Sequence, residues 1–190
     1  MLNLAALLTF GASAFAQVDS WNIDPAHSAA QFSVRHMGIS TVRGAFTKLS
    51  GAVKYNPDNP GETSIEATID AASVDTRVEM RDKDLRSANF LDVEKYPTLS
   101  FKSKRTEQAG AGKLKVTGDL TIHGITKEVA FDIEGPSLPI KDPRGNLHMG
   151  ASASTKISRK DFGVSGAPAM VGDEVSILLD VELVKPAQQK

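Results

Sequence analysis

The chain contains no cysteine. That absence removes disulfide staples, zinc-thiolate sites, iron–sulfur clusters and thiol nucleophiles from consideration. A surplus of either charge is missing as well: 22 Lys and Arg stand against 23 Asp and Glu, a net charge of −1. A nucleic-acid binder needs a basic surplus to neutralise phosphates, so no nucleic-acid partner is expected. Aromatic residues make up only 6%, with a single Trp. Long apolar runs are absent after residue 16, so no membrane-spanning helix is expected. A chain of 190 residues makes one domain, or two small ones, and buries enough core without covalent staples.

Met1 to Ala16 is mostly apolar and carries no charged side chain. It ends in Ala14-Phe15-Ala16, the small-x-small pattern that signal peptidase accepts. A bilayer span needs about 20 residues. Residues 1–16 therefore read as a secretory signal peptide, with one barrel domain over residues 17–190. A mobile apolar N-terminus or a membrane anchor is the alternative. Without cysteine there is no lipobox, so the exported protein is expected to be soluble.

Beyond residue 20 the dominant pattern is period-two alternation, the mark of half-buried strands. Val175, Ile177, Leu179, Val181 and Leu183 share one face; Ser176, Asp180 and Glu182 take the other. Similar stripes are Phe32 and Val34; Ile65, Ala67 and Ile69; Leu99 and Phe101; Leu114 and Val116; Leu120 and Ile122; Val129, Phe131 and Ile133; and Met149, Ala151 and Ala153. Turn signals separate them at Asn56–Gly61, Gln108–Gly112, His123-Gly124 and Asp142–Asn146. The reading is all-β, about eight antiparallel strands in a barrel or sandwich. One segment breaks the rhythm. Thr76 with Glu79 matches a capping box, and a short accessory helix is expected over residues 77–87.

An eight-stranded barrel is just wide enough to be filled by side chains or to hold one small ligand. Small residues at Ala67, Ala71, Ala151 and Ala153, with few aromatics, favour an apolar cavity. Each methylene removed from water is worth about 0.8 kcal/mol, so a hydrocarbon tail would supply affinity there and a few polar groups would orient the head.

Several segments resemble the YceI-like family. They are Trp21–Ser28 with Phe32 and His36; Arg81-Asp82, Leu85–Ser87, Phe90–Asp92, Tyr96-Pro97 and Ser100–Ser103; Gly118–Thr126; Ser158–Gly163; and Gly172–Val175. The resemblance covers essentially the whole chain after residue 16, in order. One common variant of the family has His where this chain has Asp84. The resemblance implies an extended lipocalin-like antiparallel β-barrel with a helix beside it, exported to the bacterial periplasm. It also implies binding of polyisoprenoids or related long-chain amphiphiles, quinone-like molecules included, inside the barrel.

The ligand-binding residues expected on these grounds are Phe32, Val34, His36, Phe46, Phe101, Leu120, Ile122, Phe131 and Met170. The head-group candidates are His27, Arg81, Arg86 and Arg159; guanidinium suits anionic oxygen. The structural alternative for Arg81 and Arg86 is a solvated helix face with local ion pairs, and for Arg159 an internal pair with Asp161. No metal is expected, because His27, His36, His123 and His148 fall on separate segments without a ligand spacing such as HExxH. No catalytic residue is expected either. Asp24, His27 and Ser28 are too close in sequence to form a nucleophile–base–orienter line. Gly163–Ala167 lacks the final Gly of a nucleophile elbow.

The function expected is therefore a periplasmic carrier, not an enzyme, with no cofactor beyond a bound polyisoprenoid or quinone-like lipid. An inner-membrane donor or acceptor and a homodimer are compatible with it as partners. The rivals are an accessory of quinone, redox or stress chemistry with a head-group site, and an interaction module with a filled barrel. An outer-membrane barrel is excluded by Lys, Asp and Glu on the outer strand faces.

Overall fold

The computed structural model describes residues 19–187; the signal peptide expected over residues 1–16 lies outside them. The chain forms β1 (Asp19–Ile23), β2 (Ala29–His36), β3 (Ser40–Phe46), β4 (Leu49–Tyr55), β5 (Ser64–Asp70), β6 (Val74–Asp75), α1 (Glu79–Arg86), β7 (Thr98–Gly110), β8 (Lys113–Ile122), β9 (Ile125–Glu134), β10 (Ile140–Lys141), β11 (Leu147–Ser158) and β12 (Val171–Lys185).

Eight strands close a ring in the order β11-β9-β8-β7-β5-β4-β1-β12, and β12 pairs back onto β11 over residues 147–158 and 174–185. Every pairing is antiparallel. The extra strands arise because three lines of chain are broken. β12 pairs with β1 near its end (Asn22↔Val184) and with β2 along its start (Ser176↔Ser33). The turn at residues 24–28 thus divides one long strand in two. β3 and β4 are divided likewise at residues 47–48, and β5 and β6 at residues 71–73. The result is an elongated barrel whose upper tier carries β2, β3 and β6.

The alternation read from the sequence sets the inner face. Val175 to Leu183 line the lumen at every second position. The outer wall carries ion pairs: Lys102–Glu66 at 2.8 Å, Lys104–Asp119 at 2.6 Å and Lys156–Glu174 at 2.9 Å. Among the described residues no helix is long and apolar enough to cross a membrane.

Among the described residues β6 pairs only with β3, and β7 only with β5 and β8. The wall between β6 and β7 is therefore completed by α1 and the segment behind it. Leu85, Phe90 and Leu91 point from that segment into the interior. The helix begins two residues later than expected, and the capping box does not form. Its N-cap is Val78, with no side-chain hydrogen bond. Instead the buried Asp82 carboxylate accepts the Thr76 N–H at 2.9 Å and the Thr76 hydroxyl. Asp82 lies one turn into the helix and satisfies a backbone donor outside it.

The β8–β9 hairpin turns on His123 (φ +51°) and Gly124 (φ +72°), both left-handed. This is the two-residue geometry that suits strand twist. A Cβ on Gly124 would sit 2.4 Å from the Tyr96 ring, so that position needs glycine for space as well as for φ.

Candidate functional site

The inward stripes enclose two apolar chambers stacked along the barrel axis. The upper has a volume of about 190 Å³ and the lower about 110 Å³. Leu49, Ala67, Phe101, Phe131 and Leu179 line both, and so form a waist between them. Phe101 and Phe131 meet there edge to face, with centroids 5.1 Å apart, the arrangement that aromatic quadrupoles favour. Ala67 narrows the waist least. Ala151 and Ala153 leave room in the lower chamber. Ala71 lines neither chamber: it is buried behind the upper one, in the cluster with Phe90 and Phe162.

Of the 26 residues that line the upper chamber, only Gln31, Ser100 and Arg159 have polar side chains. Phe32, Val34, Phe46, Phe101, Leu120, Ile122 and Phe131 all line it. Two of the expected ligand-binding residues do not. His36 ends β2, opposite Ser40 and Val171. Met170 is 49% exposed beside Met37, whose N–H donates to the Met170 carbonyl at 2.7 Å. With exposed Ile39 they form an apolar rim on the loops rather than a wall.

The structure also gives the chamber residues that alternation does not predict. Leu85, Phe90, Leu91, Phe162 and Val164 line it from helical or irregular chain. The signal in the sequence is their apolar character within otherwise polar segments, without a strand period to give direction.

The arginines among the head-group candidates are committed elsewhere. Arg159 is 5% exposed. Its guanidinium donates to the carbonyls of Gly172 (2.9 Å), Val164 (2.8 Å), Gly166 (2.9 Å) and Val171 (2.9 Å). The expected pair with Asp161 does not form. β11 ends at Ser158, and both residues enter a 3-10 turn in which Arg159 faces in and Asp161 faces out. Burial lowers the Arg159 pKa, and the Asp173 charge opposes that shift. Arg81 donates to the Thr76 hydroxyl and carbonyl, at 2.7 and 2.9 Å. Arg86 donates to the carbonyls of Ala72 and Val74, both at 2.8 Å. These two side chains staple α1 to residues 72–76 rather than form the ion pairs of a solvated helix face.

This arrangement of closed barrel, helix stopper and apolar lumen coincides with a family model described as the YceI-like domain, which matches residues 21–183. The chain belongs to the YceI family. A YceI-family relative, the UPF0312 protein of Vibrio cholerae serotype O1, is 35% identical over 93% of this chain and 94% of its own length. The crystal structure of Burkholderia cenocepacia BcnA superposes with a TM-score of 0.75 at 27% identity, over 84% of this chain and 98% of that one. A polyisoprenoid binding domain from Saccharophagus degradans superposes with a TM-score of 0.64 over 90% of this chain and all of that one. At 13% identity that likeness concerns the fold.

His27, the remaining head-group candidate, lies on the outer wall of this YceI barrel. Its ring meets the Asp24 carboxylate at 2.9 Å, and Asp24 raises the His27 pKa. In return the His27 ring, together with the Ala26 N–H, holds the Asp24 carboxyl below its usual value. Nearby, His148 bonds Glu182 at 2.8 Å and approaches Asp142 at 3.3 Å. The Glu182 contact raises the His148 pKa against the effect of partial burial. Burial pushes the Asp142 carboxyl up, but bonds from the Asn146 side chain and N–H, His148 and the Arg144 N–H outweigh it and hold the group at about 2. His27, Asp142, His148 and Glu182 line an open groove on the outer wall, apart from the two chambers, with Asp24 beside His27.

Proposed function

We propose that this YceI-family protein is a periplasmic carrier that holds a polyisoprenoid, or a similar long-chain amphiphile, inside its barrel. The observation that carries this reading is the upper chamber: about 190 Å³ of space inside the barrel, closed on one side by α1 and the chain behind it and walled almost entirely by hydrocarbon. Water is a poor occupant of such a space, since a buried water needs two to four polar partners. An alkyl or prenyl chain needs none. Each methylene or methyl group transferred contributes about 0.8 kcal/mol.

The two chambers together offer about 300 Å³, the lower bound of the range for small-ligand sites. A long chain would thread the waist by turning the Phe101 and Phe131 rings. The ligand is read by its tail: the chamber's one charged side chain, Arg159, spends its donors on backbone carbonyls. This disfavours a redox accessory built around a head-group site, and the unfilled lumen disfavours a solid interaction module. The name of the S. degradans domain supports a polyisoprenoid guest. The apolar segment ending at Ala16 supports export. No catalytic step is assigned.

A displacement titration tests the reading. A fluorescent polyene fatty acid added to delipidated protein is expected to bind with saturation and to be displaced by polyprenyl alcohols. Failure of both probe and polyprenol to bind would overturn it.

A further inference from the structure

The groove on the outer wall joins residues far apart in sequence. The turn at residues 24–28 is pinned to β12: the Asp24 N–H donates to the Glu182 carbonyl at 2.8 Å, and the Glu182 N–H donates to the Ser28 hydroxyl at 3.0 Å. One Asp24 oxygen is held by the Ala26 N–H at 2.8 Å, and the other faces the His27 imidazole. Val181 and Leu183 point into the lower chamber, so Glu182 between them points out toward that turn. One ligand-capable atom each from Asp24, His27 and Glu182 then lies within 4.8 Å of the others. His148 bonds Glu182 from the neighbouring strand and reaches Asp142 with its second nitrogen.

We propose that Asp24, His27 and Glu182 form a site for a divalent transition-metal ion of the zinc type, with His148 as the residue that orients Glu182. Zinc takes imidazole nitrogen and carboxylate oxygen at about 2.0–2.2 Å in a tetrahedron. The present spacing converts to that geometry by side-chain movements of about 1 Å, with water in the fourth position. The His148–Glu182 bond supplies the outer support that metal-bound carboxylates receive from neighbouring residues. An imidazole in the set selects zinc, copper or nickel over calcium and magnesium, which prefer oxygen alone.

The surroundings favour a cation. Among the described residues the groove is lined by Glu134, Asp142, Asp180 and Glu182 beside the two histidines, without Lys or Arg. Of these, Glu134 is already paired with Lys113 at 3.1 Å. The groove is open and about 740 Å³ in volume, so a hydrated ion has access. No metal was expected from the sequence because each histidine stands on its own segment; the fold brings two of them to one glutamate. The site lies outside the lumen and does not depend on the lipid reading.

The test is a calorimetric titration of the full-length protein with zinc chloride in a non-chelating buffer at pH 7.5. Imidazole resonances are followed by NMR in parallel. One saturable site is expected, with the His27 and His148 signals shifting together. The His27 side chain is 65% exposed, so His27→Ala leaves the fold intact and should weaken binding at least tenfold. Glu182→Gln keeps the side-chain length and should do the same. His148→Gln should weaken binding by about 10- to 100-fold, the range for an outer support. Absence of saturable binding overturns the site. So does zinc binding that survives His27→Ala and Glu182→Gln unchanged, or calcium binding as tight as zinc, which would mark simple attraction to carboxylates.

Discussion

The rings of Phe101 and Phe131 stand edge to face, centroids 5.1 Å apart and planes at 74°, at the level where the two chambers share a wall. This pair, with Ala67, sets how deep a guest can reach. Ala67→Phe adds a ring at the waist. Overpacking costs about 1–3 kcal/mol, which this unfilled site reduces. The variant should stay folded by circular dichroism and keep short-chain probes, while its affinity for long polyprenols falls at least tenfold in displacement titrations. Equal affinity for long chains would show that they do not pass the waist.

Gly44 stands opposite Phe32 across the β2–β3 pair. A Cβ there would lie 2.5 Å from the Phe32 ring and 2.7 Å from the Thr76 methyl. Glycine here provides room for a ring that forms part of the chamber wall. Gly44→Ala should push that ring inward and destabilise the protein by about 1–3 kcal/mol. Urea unfolding followed by Trp21 emission measures it, since Trp21 is the single Trp and is 3% exposed.

Arg159 ties four carbonyls of residues 164–172 to the end of β11. Arg159→Met keeps bulk and apolar stem but leaves those acceptors without their donor. A loss of about 3 kcal/mol is expected, from charge-assisted bonds in a mostly dry setting. A head-group role would instead leave stability unchanged and lower lipid affinity. Thermal melts and probe binding on the same sample separate the two.

Asp142 holds the turn before β11, accepting from the Arg144 and Asn146 N–H groups at 2.8 Å each. Its folded pKa of about 2 lies below its ordinary 3.8. A depressed carboxylate favours the folded chain fully above the unfolded value, and that contribution fades as pH falls through the folded one. The melting-temperature gap between wild type and Asp142→Asn should therefore shrink between pH 4 and about 2, and shrink again as pH rises through the raised pKa of His148, which Asp142 helps to raise. A gap independent of pH would contradict the assignment.

The barrel is legible in the sequence wherever a strand has one face inside and one in water. β12 and β8 are examples, because Val175 to Leu183 and Leu114 to Ile122 keep step with the pleat. The second tier is not legible. The break at residues 24–28 is defined by β12, some 150 residues further along the chain, and no local pattern records that pairing. The same distance hides the approach of His27 to Glu182. Leu85, Phe90 and Phe162 reach the chamber from non-strand chain, where period two has no meaning. Arg159 reads as a head-group ligand or as the partner of Asp161 on a strand face, because its actual partners are carbonyls, which carry no signature in a sequence.

The central claim is that hydrocarbon occupies the lumen. Native mass spectrometry of the protein purified from its own cells, with organic extraction of the same sample, tests it most directly. The account predicts one long-chain amphiphile per chain, released on denaturation, on a protein whose intact mass begins at Gln17. Repeated recovery of protein free of any bound lipid, from cells that contain polyprenols, would contradict it.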